Sequence, residues 1–233
     1  MFLLACGLFA CNREYDPTPD YLDQIYPIQE GKYRIYHVTD TIFETSSSQL
    51  FEALTYYKRE LTEGTETDLL GREVNKLRID VSPDTLGTLD NPSYAWSFSE
   101  LWTQFADEDF YEQTEGNTRY LVMRNPPYLG STWDGNLYNN NGPRMYEFTQ
   151  LDTSLTLFGN TYPNCVFVQQ QEFYKPVSDS TGPIFLIEHA YEIYAPGIGK
   201  VVKYSKFLEA QDGVFEPDSR ILLEVLVDHN YDL

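Results

Sequence analysis

Cysteine is scarce in this chain: three residues in 233, of which Cys6 and Cys11 fall within the first eleven positions and Cys165 alone lies in the body. A lone body thiol excludes an internal disulfide, so the fold must be held by its core and by sheet hydrogen bonds. Basic residues are few as well, 16 Lys and Arg against 36 Asp and Glu, for a net charge of -20. That balance repels phosphate backbones and bare anionic lipid surfaces, which argues against nucleic acid as a partner. No uncharged apolar run reaches the ~20 residues a membrane-spanning helix needs. Also missing are GxSxG, a phosphate loop, a dinucleotide fingerprint and HExxH, and the three histidines, His37, His189 and His229, stand far apart. Nucleophile- and nucleotide-based enzymes therefore have no local support, and neither a cofactor nor a metal site is expected.

What is present is aromatic. Hydrophobic residues make up 42% of the chain, with 19 Tyr and 14 Phe, which is ample material for a packed core. At this length a β-rich chain is expected to be one domain.

The first eleven residues, MFLLACGLFAC, carry no charge. Their apolar run has the length of a secretory signal core and is too short to span a bilayer. Leu8-Phe9-Ala10-Cys11 resembles the lipobox of bacterial lipoproteins, in which cleavage before the cysteine is followed by its acylation. We therefore expect residues 1–10 to be a signal peptide and Cys11 to be lipidated, with palmitate-type chains; Cys6 would leave too short an apolar core. Residues 11–24 are acidic and carry Pro17 and Pro19, so they read as a tether. Asn12 after the cysteine resembles the outer-membrane sorting preference of Gram-negative bacteria, which implies an outer-membrane location on either side.

From residue 25 to 233 the chain reads as a single β domain. Apolar alternation of period two recurs in short segments bounded by Gly, Pro, Asn or Asp. Ile221, Leu223, Val225 and Val227 share one face, opposite Leu222, Glu224, Leu226 and Asp228; His189, Tyr191 and Ile193 oppose Glu188, Glu192 and Tyr194. Together the segments predict about ten strands in a mostly antiparallel, strongly curved sheet, as an open half-barrel or sandwich. One or two short helices are expected: Leu50 to Leu61 suits a helix or a long edge strand equally, and Ser99 to Glu112 has room for a helix. Thr62 to Asp68 and Ser178 to Gly182 read as polar hairpin ends.

The richest polar cluster is GSTWDGNLYNNNG, Gly130 to Gly142. One local carboxylate, Asp134, is too little for calcium, so the Asp-Gly pair and the Asn run read first as positive-φ turns. An indole beside amides also suits stacking on a ligand, which makes Trp133, Asp134, Asn136 and Tyr138 the candidate binding residues. Pro196-Gly197-Ile198-Gly199 predicts a hairpin turn, and Cys165, among strand formers, a buried small hydrophobe.

YPIQEGKYRIYHV, GSTWDGNLYN and YEIYAPGIGKVVKY, spread between Tyr26 and Lys206, together resemble a group of uncharacterised Gram-negative outer-membrane lipoproteins. Their pattern has a Trp-x-Gly-Asn turn and a Tyr-x-x-Gly-Val-Gly-x-Val hairpin; Arg34 here stands where the group commonly has Trp. The resemblance implies a lipid-anchored β protein and transfers no activity. Three functions follow as expectations. The leading one is a non-enzymatic envelope module binding a protein partner or an apolar ligand. The others are an extracellular glycan hydrolase using a carboxylate pair, and a structural subunit of an outer-membrane complex.

Overall fold

The computed structural model describes residues 24–43, 51–86, 93–179, 182–211 and 214–232. The expectations for residues 1–10, for acylation of Cys11 and for the tether through residue 23 lie outside the described residues.

The strands are β1 (Tyr33–Ile42), β2 (Glu52–Thr67), β3 (Glu73–Pro83), β4 (Ser97–Ala106), β5 (Phe110–Glu115), β6 (Thr118–Arg124) and β7 (Thr132–Asp134). They continue as β8 (Met145–Leu157), β9 (Asn160–Asp179), β10 (Gly182–Ala195), β11 (Gly199–Gln211), β12 (Val214–Phe215) and β13 (Arg220–His229). They form one sheet in the order β6-β5-β4-β3-β2-β1-β13-β11-β10-β9-β8-β7, with β12 paired only to β11. Strand twist curls a sheet of this width, and bulges at Ile35/Tyr36, Glu63/Thr65 and Ile193/Tyr194 bend it further. Its edges return to one another. The Leu121 N–H donates to the Gly135 carbonyl at 2.9 Å, and Trp133 Nε1 donates to the Leu121 carbonyl at 3.1 Å. The curved antiparallel sheet predicted by the alternation is thus nearly closed into a barrel, with one seam left unsealed.

Two segments depart from expectation. Glu52 to Leu61 belongs to β2, which is neither helix nor edge: β1 pairs with one side and β3 with the other. Two neighbouring ladders claim its backbone groups, and that tertiary context outweighs helical propensity. Thr62 to Thr67 continues the same strand, so the turn begins only at Asp68. Ser99 to Glu112 is not a helix either, but most of β4, a turn and the start of β5. Asp107 Oδ1 accepts the N–H groups of Asp109 and Phe110, which holds the turn.

The two faces of β13 exchange roles relative to the usual reading of alternation. Glu224 and Leu226 are buried at 4% and 1% exposure, whereas Ile221, Leu223, Val225 and Val227 are only half-buried. A nearly closed barrel encloses its inner face from all sides, so side chains there lose water whatever their polarity. The cross-strand register fills that face with charge. Arg34 lies opposite Glu60, Tyr36 opposite Lys58, Glu224 opposite Lys203, and Lys203 opposite Glu192. One end of the barrel is closed by Ile25 and Tyr26, both buried, with the Tyr26 ring stacked on Tyr111 at 4.0 Å.

Gly135 sits on the seam with the Tyr146 ring where a Cβ would be, while Gly64 in β2 meets only the tip of Glu30, at 3.5 Å. Gly135→Ala is therefore expected to lower unfolding free energy by about 1–3 kcal/mol through overpacking. Gly64→Ala should change it by under ~1 kcal/mol in the same urea titration.

Candidate functional site

Four strands deliver a buried ionic cluster to the middle of the lumen. Glu60 of β2, with no solvent exposure, takes Lys200 Nζ at 3.0 Å and Lys58 Nζ at 3.2 Å on one oxygen. Its other oxygen faces Arg34 Nε at 3.5 Å and the Tyr36 hydroxyl at 3.2 Å. Lys58 also reaches Glu224 of β13 at 2.6 Å, and Lys200 lies 3.8 Å from the same carboxylate. The Tyr36 hydroxyl donates to the Lys200 carbonyl at 2.9 Å, and its ring lies 5.0 Å and 5.4 Å from the two ammonium groups.

The turn predicted at Pro196–Gly199 is what brings Lys200 there. Gly197 and Gly199 adopt φ of 80° and 97°, values that favour glycine, and a Cβ on Gly199 would overlap the Arg34 guanidinium. Arg34 uses the space to donate to the Ile198 carbonyl at 2.9 Å while its guanidinium covers the Tyr26 ring at 4.6 Å.

A chain of neutral side chains runs from the floor toward the opposite end. Gln104 Nε2 donates to the Tyr26 and Tyr111 hydroxyls at 3.0 and 2.8 Å. Tyr111 donates to Gln113 Oε1 at 2.9 Å, and Gln113 donates to Glu115 at 2.7 Å. Above this floor lies a cavity of about 230 Å³, with Tyr26, Tyr111, Tyr194 and Lys200 at its buried end. Half-buried Glu115, Tyr120, Arg144, Lys203 and Ser205 line its more accessible part. Arg144 pairs with Glu188 at 2.9 Å through Nη2, which leaves its buried Nε without a partner among the described residues.

The electrostatics of the cluster fix its protonation. Burial opposes ionisation of Glu60, but Lys200, then Lys58 and Arg34, outweigh it and hold the carboxyl well below the usual range. Burial likewise opposes Glu224, and Lys58, Lys200 and Lys203 overcome it. Lys200 is pushed well above the ordinary lysine value, because Glu60 and Glu224 outweigh its desolvation. Burial drives the Tyr26, Tyr36, Tyr111 and Tyr194 hydroxyls upward, so they stay neutral donors. A carboxylate pair for glycoside cleavage needs one acid kept protonated near neutrality. Glu60 and Glu224 are both held ionised, and cations occupy the space between them.

The four residues singled out from the sequence lie on the seam strand and the turn after it, and Trp133 faces inward, packed on Tyr146 and Phe148 in the interior core. Trp133 is buried at 3% exposure with its indole N–H committed to Leu121. Asp134 Oδ1 accepts the N–H groups of Asn136 and Arg144, and Asn136 donates to the Gly142 carbonyl at 2.7 Å. Tyr138 is part-exposed under the Arg119 guanidinium, 4.0 Å away. Positive φ in this stretch falls on Gly130 and Gly142, not on the Asn run, whose amides serve as turn partners instead. Cys165 is buried, with burial raising its thiol to about 11, as the small-hydrophobe reading predicts. His37 pairs with Asp84 at 3.1 Å, while His189 packs against Tyr191 and Tyr204. No group of three or more metal-ligating side chains occurs among the described residues.

Missed from the sequence were Arg34, Lys58, Glu60, Lys200 and Glu224. Their signal was present: each sits at the same strand parity as a buried neighbour, Tyr36 for Arg34 and Leu226 for Glu224, but charge at that parity reads as a solvent face.

No family profile matches the chain, and no curated protein resembles it in sequence. Among solved structures, a Bacteroides fragilis protein described as exported and of YmcC-like fold aligns at a TM-score of 0.44 and 11% identity. The alignment covers 89% of this chain and 99% of that one, and so distant a likeness assigns neither family nor function.

Removing one member of the cluster strands the others. Lys200→Met is expected to cost about 3–5 kcal/mol in urea unfolding. Since Glu60 and Glu224 have lowered pKa values, their contribution is complete above the unfolded carboxyl pKa and fades as pH falls below about 4.5. Lys200, with a raised value, contributes fully below about 10.5 and loses its contribution as pH rises further. The cluster's contribution should therefore be level between about pH 5 and 10, and Glu60→Gln should weaken the acid limb of the unfolding-midpoint profile.

Proposed function

We propose that this chain is a lipoprotein of a Gram-negative envelope, anchored through Cys11, whose lumen binds a small polar ligand without transforming it. The observation that carries the binding reading is the cavity itself. A tyrosine-lined space of about 230 Å³ stands over a cluster in which Lys58 and Lys200 are paired with Glu60 and Glu224. Such a site offers fixed hydroxyl, amide, ammonium and guanidinium groups to its contents. Its size lies just under the ~300–1,000 Å³ usual for small-molecule sites, which suits a compact ligand or one end of a longer one. The lining favours polar over apolar contents, since Tyr120, Lys203 and Ser205 offer donors to a ligand with acceptor oxygens.

The hydrolase reading has no specific observation in its favour. The anchor rests on the lipobox-like Leu8-Phe9-Ala10-Cys11 and on the acidic, proline-bearing stretch behind it.

Protein isolated from the membranes of expressing Gram-negative cells should carry an acyl mass on Cys11 and start at that residue. Native mass spectrometry should show a small polar molecule released on denaturation. Ser205→Phe, which fills the cavity without touching the cluster, should reduce retention at least tenfold while preserving the unfolding midpoint. Equal retention in wild type and Ser205→Phe, or no bound molecule at all, refutes the lumen reading.

A further inference from the structure

The strand order sorts every connection to one of the barrel's two ends. At the end closed by Ile25 and Tyr26 lie the β2–β3 turn (residues 68–72), the β4–β5 turn (107–109), the β6–β7 loop (125–131), the β8–β9 turn (158–159) and the β10–β11 turn (196–198). Three of these five present large apolar side chains to solvent. Leu69 and Leu70 are exposed at 106% and 64%, Tyr128 and Leu129 at 65% and 67%, and Phe158 at 59%. These are five of the seven most exposed large apolar side chains among the described residues; the other two, Phe98 and Tyr174, lie within strands.

Exposed apolar groups scattered singly over a surface need no explanation, whereas a set collected on separate turns at one end does. The same end is where the chain enters the barrel: the Gly197 N–H donates to the Gln24 carbonyl, and Tyr231 donates to the Pro27 carbonyl at 3.3 Å. Cys11 precedes Gln24 by thirteen residues, which extended span at most about 45 Å. An acyl chain on Cys11 thus confines the barrel to within reach of the bilayer by this end.

We infer that the Leu69–Leu70, Tyr128–Leu129 and Phe158 turns rest in the headgroup region of the membrane that holds the anchor, so that the lumen opens away from it. This orientation rests on the anchored reading proposed above. The β4–β5 turn sets the depth, since Asp107, Glu108 and Asp109 sit at the same end and their carboxylates must stay hydrated. Contact is therefore interfacial rather than deep, and with a net charge of -20 it favours zwitterionic over anionic lipid. Leucine and tyrosine suit that zone, where an apolar body and a polar tip are both accommodated.

The test uses the full chain, purified from the membranes of expressing cells and reconstituted into phosphatidylethanolamine–phosphatidylcholine vesicles. An environment-sensitive thiol dye is placed at Leu70→Cys, at Leu129→Cys or, at the opposite end, at Val214→Cys. Buried Cys165 is shielded from labelling. Dye at positions 70 and 129 should brighten several-fold, shift to the blue and be quenched by headgroup-level nitroxide lipid, while dye at 214 stays as in water. Matching spectra at all three positions, in protein that still floats with the vesicles, overturn the orientation and leave the anchor standing. Protein that does not float and has Cys11 unmodified overturns the anchor and the orientation with it. Shielding of 70 and 129 in native membranes but not in the lipid vesicles assigns the turns to a protein partner and overturns the lipid contact.

Discussion

A carboxylate at the centre of a closed sheet loses several kcal/mol of hydration, and Glu60 is stable there only because three cations converge on it. Those cations come from β1, from β2 itself and from the first residues of β11, the last of them 140 residues from Glu60 in the chain. Lys58 and Lys200 then reach Glu224 on β13. A register slip of one residue in any of these strands would turn its charge outward and strand the rest. The cluster therefore works less as a source of net stability than as a device that makes one strand pairing correct and its neighbours costly.

That constraint shapes the cavity. The cluster and the Tyr26 plug fill one part of the lumen, while the remaining space is bounded by tyrosines whose hydroxyls burial keeps neutral. Because the lysines and carboxylates satisfy one another, a ligand above them meets a preorganised polar floor rather than unpaired charge. Arg34 joins the two parts, since one guanidinium packs on the Tyr26 plug, donates to the Ile198 carbonyl and faces Glu60.

The two ends of the barrel differ for related reasons. At the plugged end three of the five turns carry exposed apolar tips; the polar space is bounded on the other side by Glu115, Tyr120 and Arg144. An envelope protein tethered at its plugged end would present its binding space to the compartment rather than to the lipid.

Sequence alone determined the sheet, its antiparallel curvature, the hairpin at Pro196–Gly199 and the inert burial of Cys165, because alternation, glycine with positive φ and thiol scarcity are local properties. It left Leu50 to Leu61 open between helix and edge strand and allowed a helix in Ser99 to Glu112, and pairing on both sides made Glu52 to Leu61 an interior strand and Ser99 to Ala106 a strand as well. It drew attention to Trp133, Asp134, Asn136 and Tyr138, whose conspicuous polarity the fold uses along the seam. Only the tertiary structure decided that Glu60, Lys58, Lys200 and Glu224 face inward. Period two says which residues share a face but not which face is enclosed, and enclosure depends on β6 returning to β7, a contact between distant elements that no local pattern encodes.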